Sequence, residues 1–182
     1  MKWLKEIWGW VGSFAIAFVF AVLIGIFVFQ PYKVDGHSMD PTLHDRERVY
    51  VSKLPHTFSY VPNYGDIVII DSRVDRDRTF KDDFMGNPLF LLITGKTDDQ
   101  VFYVKRLIGK PGDTIEIKSH QVYRNGQLLD EPYIKEAMNA PDGKWTVPAK
   151  HIFVMGDNRN NSRDSREIGF IPLDHLMGKK IL

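Results

Sequence analysis

The sequence contains no cysteine, which excludes structural disulfides, thiolate zinc sites and a cysteine nucleophile. It has almost no net charge, with 24 Lys and Arg set against 23 Asp and Glu. That balance, with no basic stripe backed by a stacking platform, points away from a nucleic-acid partner. Internal repeats and low-complexity tracts are lacking, and no amphipathic helix of normal length stands out beyond residue 33. None of the six histidines (His37, His44, His56, His120, His151 and His175) sits in a motif that marks a triad histidine. Asp157 and Asp164 lack the spacing and the glutamate of a calcium loop, so neither a metal nor any other cofactor is expected.

What is present is unevenly distributed. Trp8 to Phe29 is a run of 22 residues without a charge, about 33 Å long as a helix and sufficient to cross a hydrocarbon core. Trp3, Trp8 and Trp10 near its start and Tyr32 near its end are placed where amphipathic aromatics favour a membrane interface. The run is too long for a cleaved secretory signal, and Gln30-Pro31-Tyr32-Lys33 is a poor small-residue cleavage site. Residues 1–7 are therefore expected as a cytoplasmic tail held inside by Lys2 and Lys5, residues 8–30 as a single anchor, and residues 31–182 as an extracytoplasmic domain. The bilayer is accordingly an expected partner.

Beyond the anchor the pattern becomes short alternating runs. Arg48–Val51, Asp66–Ile70, Val101–Ile108, Thr114–Lys118, Gln121–Arg124 and His151–Met155 read as strands. Asn125-Gly126 is a hairpin turn signal, because both turn positions require positive φ. Asp71 to Asp83, dense in alternating charge, reads as a solvated excursion, and Ala137 to Lys144 as a loop. Leu89 to Ile93 reads as a buried strand in preference to a segment dipping into lipid. The expected fold is mainly β, an antiparallel sheet domain behind one helix.

Three polar segments could carry chemistry. Ser38, in Gly36-His37-Ser38-Met39-Asp40-Pro41-Thr42-Leu43, follows closely on the anchor. Taken alone it reads as a turn serine capping local backbone. A serine nucleophile needs a base, and Lys105 stands among Val104, Leu107 and Ile108, where burial would favour its neutral form; an exposed, paired strand lysine is the plainer reading. The third segment, Gly156 to Arg166, is almost devoid of apolar residues. Asp157, Arg159, Asp164 and Arg166 could pair there to stiffen a loop, and Ser162 could hydrogen-bond a neutral lysine amine.

With those residues in order, the chain resembles the type I signal peptidases, in their compact single-anchor form. The likeness rests on the anchor with Gly36 to Leu43, on Gly65-Asp66-Ile67-Val68, on Tyr103 to Asp113, and on Gly156 to Arg166. It implies a mostly β catalytic domain of the signal-peptidase type resting on the outer membrane surface. It also implies a membrane serine endopeptidase that removes N-terminal signal peptides from exported preproteins, reads small residues at −1 and −3, and works beside the secretion translocon. By the same resemblance Ser38 is the nucleophile and Lys105 the general base. Ser162 orients Lys105, Asp164 and Arg166 brace the site as a salt-bridged pair, Arg106 supports it, and Met39 helps seat the substrate. Some relatives carry a hydroxyl residue at the position of Gly36 that serves the oxyanion hole; here the hole would rely on backbone N–H groups, chiefly that of Ser38. Two other readings share parts of this pattern: a self-cleaving Ser/Lys repressor, which would need a DNA-binding domain where residues 1–33 place an anchor, and a membrane-tethered β-rich binding protein with a degenerate site.

Overall fold

The computed structural model of the chain describes residues 2–79, 81–82 and 102–182; the apolar run at Leu89 to Ile93 lies outside them. The uncharged N-terminal run forms one helix, α1, Lys2–Phe27. Its stretch Glu6–Gly25, 20 residues of mean hydropathy 2.2, is long and apolar enough to cross a membrane, and none of it is buried within the protein. The helix stops before the apolar run does: Phe29 and Gln30 already belong to the first strand.

Eleven strands follow among the described residues. They are β1 (Phe29–Lys33), β2 (Arg48–Ser52), β3 (Ile67–Asp71), β4 (Phe102–Gly109), β5 (Thr114–Lys118), β6 (Gln121–Arg124), β7 (Gln127–Leu128), β8 (Gly143–Thr146), β9 (His151–Met155), β10 (Ile171–Pro172) and β11 (Leu176–Lys180). Two short helices, α2 (Leu54–Thr57) and α3 (Ser165–Ile168), interrupt them. A seven-stranded antiparallel sheet runs β1-β2-β11-β3-β4-β9-β10, and a four-stranded sheet runs β7-β6-β5-β8. Six of the seven expected strands are present, the seventh being the undescribed Leu89 to Ile93, and Asn125-Gly126 makes the β6–β7 turn with φ of 52° and 79°.

The central strands are apolar on both faces because both faces are covered. In β3, Ile69 packs with Val34, Met39, Leu43, Val49, Val51 and Met177, while its neighbours Val68 and Ile70 pack on the opposite side with Leu107, Ile152 and Val154, as period-two alternation requires. A third cluster joins the small sheet to β9 through Ile115, Ile117, Val122, Phe153 and Met155.

Two expected loops need correction. Asp71 is not solvated: it ends β3 fully buried and takes the guanidinium groups of Arg73 and Arg78. Burial alone would raise its pKa, but the Arg73 hydrogen bonds and the two cations hold it below the usual carboxylate range. Likewise Gly143 and Lys144 belong to β8, recruited by pairing with Ile117 and Glu116 of β5.

Candidate active site

The Ser38 segment is a loop between β1 and β2, closed at its neck by bonds from Val34 N–H to the Glu47 carbonyl (2.8 Å) and from Arg46 N–H to the Val34 carbonyl (2.9 Å). Gly36 enters it at φ +93°, with nothing within 4 Å of where a Cβ would stand. Backbone conformation, not space, calls for glycine there. Its N–H donates to Asp45 Oδ1 at 2.9 Å and is therefore already committed. The Ser38 N–H, by contrast, makes no hydrogen bond among the described residues. Met39, which the family resemblance expects to help seat the substrate, is 1% exposed. An unbranched side chain fills that gap between Val34, Leu43 and Met177, so Met39 bears on the site through packing.

Lys105 lies on β4 opposite Val68 of β3. β9 pairs with β4 only from Arg106 onward, so the other edge of Phe102–Lys105 has no strand beside it among the described residues. The lysine is 3% exposed, and its Nζ is 2.8 Å from Ser38 Oγ. Burial lowers its pKa from 10.5 to about 8, against the smaller opposing pull of Asp164 and with help from Arg166. A buried amine this close to a half-buried hydroxyl can accept its proton whenever the amine is neutral.

The third segment reaches the serine through its backbone. Asn158 donates from its N–H to the Ser38 carbonyl and from Nδ2 to the His37 carbonyl, each at 3.0 Å. A Cβ on Gly156 would overlap Ser162 Oγ and come within 2.5 Å of the Ser38 carbonyl oxygen, so only glycine lets this strand end pass Ser38. Ser162 Oγ is buried there and makes no hydrogen bond, to Lys105 or to any other described residue.

The ion pairs resolve differently from the pairing open in the sequence. Asp164 pairs with Arg166 through two bonds of 2.8 Å and also accepts from Gly156 N–H at 3.0 Å. Asp157, however, takes Arg106 in a two-pronged grip of 2.7 and 2.5 Å, and Thr42 donates to it at 2.5 Å. Arg106 further donates to the Gly65 carbonyl at 2.7 Å. Arg159 turns away to Glu131, at 2.8 and 2.5 Å. Among the described residues no group of three or more His, Asp or Glu is placed to hold a metal ion.

Thr42, Asn158, Glu131 and Tyr133 escaped sequence reasoning. Thr42 and Asn158 stand inside the two motif blocks, which was the one signal available for them. Glu131 and Tyr133 meet Arg159 and Arg106 across 28 and 27 residues of chain, and nothing local announces them.

Comparison with known proteins follows the same lines. A family profile described as "Signal peptidase, peptidase S26" matches residues 7–182. The chain is 40% identical over 175 residues to signal peptidase I S of Bacillus subtilis (strain 168), covering 89% of this chain and 79% of that one. It is 40% identical to signal peptidase I of Bacillus licheniformis, covering 96% and 86%, and 35% identical to signal peptidase IB of Staphylococcus aureus (strain COL), covering 96% and 87%. A solved signal peptidase I from Enterococcus faecalis V583 aligns at 27% identity with a TM-score of 0.47, covering 65% of this chain and 96% of that one.

Proposed function

The chain belongs to the signal peptidase family, peptidase S26, a family of serine endopeptidases, and we propose that it cleaves signal peptides from exported preproteins with Ser38 as nucleophile and Lys105 as general base. The observation that carries this assignment is the 2.8 Å approach of a buried Lys105 Nζ to Ser38 Oγ. Neutral Lys105 takes the hydroxyl proton as Oγ attacks the carbonyl carbon of residue −1. The tetrahedral oxyanion turns to the uncommitted Ser38 N–H. Collapse breaks the peptide bond, and the Lys105 ammonium returns its proton to the leaving amine. Lys105 then takes a proton from water, which attacks the acyl-enzyme, and returns that proton to Ser38 Oγ as the acyl–oxygen bond breaks.

The edge of Phe102–Lys105, with no strand beside it among the described residues, suits an extended substrate added as a strand, with alternate side chains entering pockets. Small residues at −1 and −3 fit that spacing. Helix α1 would anchor the enzyme in the cell membrane, N-terminus in the cytoplasm and β domain outside, beside the translocon where signal peptides emerge. Anchoring turns a three-dimensional search into a local one. Asp164 with Arg166, and Asp157 with Arg106, would hold the frame, and Ser162 would orient the amine when substrate enters.

The test is cleavage of an exported preprotein by the full chain in lipid-supplemented detergent micelles. Scission after a small-x-small site, abolished by Ser38→Ala and by Lys105→Ala, is the expected result. Cleavage surviving either substitution would refute the residue assignment. No cleavage by folded wild type would favour a membrane-tethered binding protein.

A further inference from the structure

Residues Glu131 to Lys135 leave the small sheet and cross over the segment that holds the nucleophile. Glu131 and Lys135 bond to it, and Tyr133 stacks on Arg106 beside it. The Glu131 carboxylate takes both terminal nitrogens of Arg159, a pair 8% and 1% exposed, while Arg159 Nε donates to the Gly156 carbonyl at 3.0 Å. Burial alone would lower the Arg159 pKa, but Glu131 more than offsets it and the net direction is upward. Tyr133 lays its ring against the Arg106 guanidinium at 3.8 Å and donates its hydroxyl to Glu131 Oε1 at 2.9 Å. Lys135 donates its backbone N–H to the Asp157 carbonyl at 3.2 Å and its Nζ to Asp40 at 3.2 Å.

These contacts lead by one further step to the reacting atoms. Arg106 fixes Asp157, Arg159 fixes Gly156, and Asn158 between them holds the carbonyls of His37 and Ser38. We propose that the strap Glu131–Lys135 is a positioning element of the catalytic machinery, with Tyr133 and Glu131 setting where Ser38 Oγ stands relative to Lys105 Nζ by way of Asn158. This rests on the Ser/Lys assignment above. The strap touches neither reacting atom, so its effect is geometric: it decides how much of the time hydroxyl and amine lie within hydrogen-bond reach. A misplacement of about 1 Å at a reacting atom costs on the order of 100-fold in rate. Burial and then the Glu131 charge push the Tyr133 phenol up, so its hydroxyl remains a donor over the working pH range.

The experiment uses the full chain in micelles with a preprotein substrate, at a temperature well below the unfolding midpoint of every variant. Tyr133→Leu should lower kcat by about 10-fold or more with KM unchanged within about two-fold, because the lost term lies between bound substrate and transition state. Tyr133→Phe keeps the ring on Arg106 and should retain most of kcat. Asn158→Ala should lower kcat to a similar degree, and the double variant Tyr133→Leu/Asn158→Ala no further, since both act through one link. A structural role alone would lower the unfolding midpoint and leave kcat of the folded fraction intact. Should Tyr133→Leu fail to fold, Glu131→Gln with Asn158→Ala supplies the same cycle. Unchanged kcat in the strap variants, or additive losses with Asn158→Ala, overturns the proposal while leaving the active wild type to support the peptidase reading; an inactive wild type overturns that reading instead.

Discussion

A lysine whose proton is loosened by burial should be a burden on the fold, and the burden can be measured. Lys105 is 3% exposed and its pKa falls from 10.5 in water to about 8 in the folded chain. Between those values the unfolded chain binds a proton that the folded chain does not, so stability rises with pH through that window. Below about pH 8 the whole penalty is present, and above about 10.5 none of it remains. That lowering from 10.5 to about 8 is worth about 3 kcal/mol at pH 7 and about 1.4 kcal/mol at pH 9.5.

Replacing Lys105 by methionine removes the ionisable group at nearly constant length. It also removes the bond to Ser38, worth about 1 kcal/mol. Lys105→Met should therefore be inactive yet more stable at pH 7 by about 2 kcal/mol, raising Tm by roughly 4–8 °C in a chain of this size. The advantage should shrink nearly to zero at pH 9.5. The assay is urea unfolding of the full-length protein in micelles at the two pH values, wild type against variant. A variant less stable than wild type at pH 7, or a gap that does not move with pH, would mean that the lysine is not strained by burial, and the argument for a neutral base would fail.

Three further outcomes are expected. Lys105→Arg should abolish preprotein cleavage although the charge is kept, because a guanidinium does not lose its proton near neutrality; steady-state cleavage checks this. Met39→Ala should cost about 2–5 kcal/mol in urea unfolding, the range for emptying a buried methionine site, with KM unchanged in the folded enzyme; a raised KM at full stability would show that Met39 seats the substrate directly. Gly156→Ala should cost about 1–3 kcal/mol by overpacking and lower kcat by at least about 10-fold, because the new methyl displaces the Ser38 carbonyl.

The parts legible in sequence were those whose signal is local. Ile67–Ile70, Thr114–Lys118 and the Asn125-Gly126 turn announce themselves by alternation or by turn chemistry, and α1 by sheer length without charge. The strands that escaped, β1, β8, β10 and β11, are short and take their conformation from a neighbour. β11 is five residues with two adjacent lysines, yet it lies between β2 and β3 with Leu176 and Met177 buried; only the gap it fills makes it a strand. The site divides likewise. Ser38 and Lys105 stood in recognisable blocks, whereas Glu131 and Tyr133 matter through Arg159 and Arg106, partners that only the folded chain brings near. Side-chain direction was the other blind spot: Met39 follows Ser38 in sequence, and only the fold shows its side chain packed in the core.

The distribution of charge around Lys105 explains how a lysine can be a base amid aspartates. Asp164 and Asp157 both act to raise its pKa, and left alone they would hold the amine charged. Each is fully buried, but each is gripped by its own guanidinium, Arg166 on Asp164 and Arg106 on Asp157. The carboxylates can then bond to Gly156 N–H and Thr42 without exerting their full field on the lysine, and burial wins. Arg166→Met removes one of the compensating cations. Losing a cation favours the protonated amine, so the Lys105 pKa should move up from about 8, and each unit costs about 10-fold in neutral amine at pH 7. The ascending limb of kcat/KM against pH should shift alkaline, with activity falling at pH 7 and largely restored toward pH 10. An unmoved limb with uniformly lower activity would show that Arg166 holds the loop together without tuning the base.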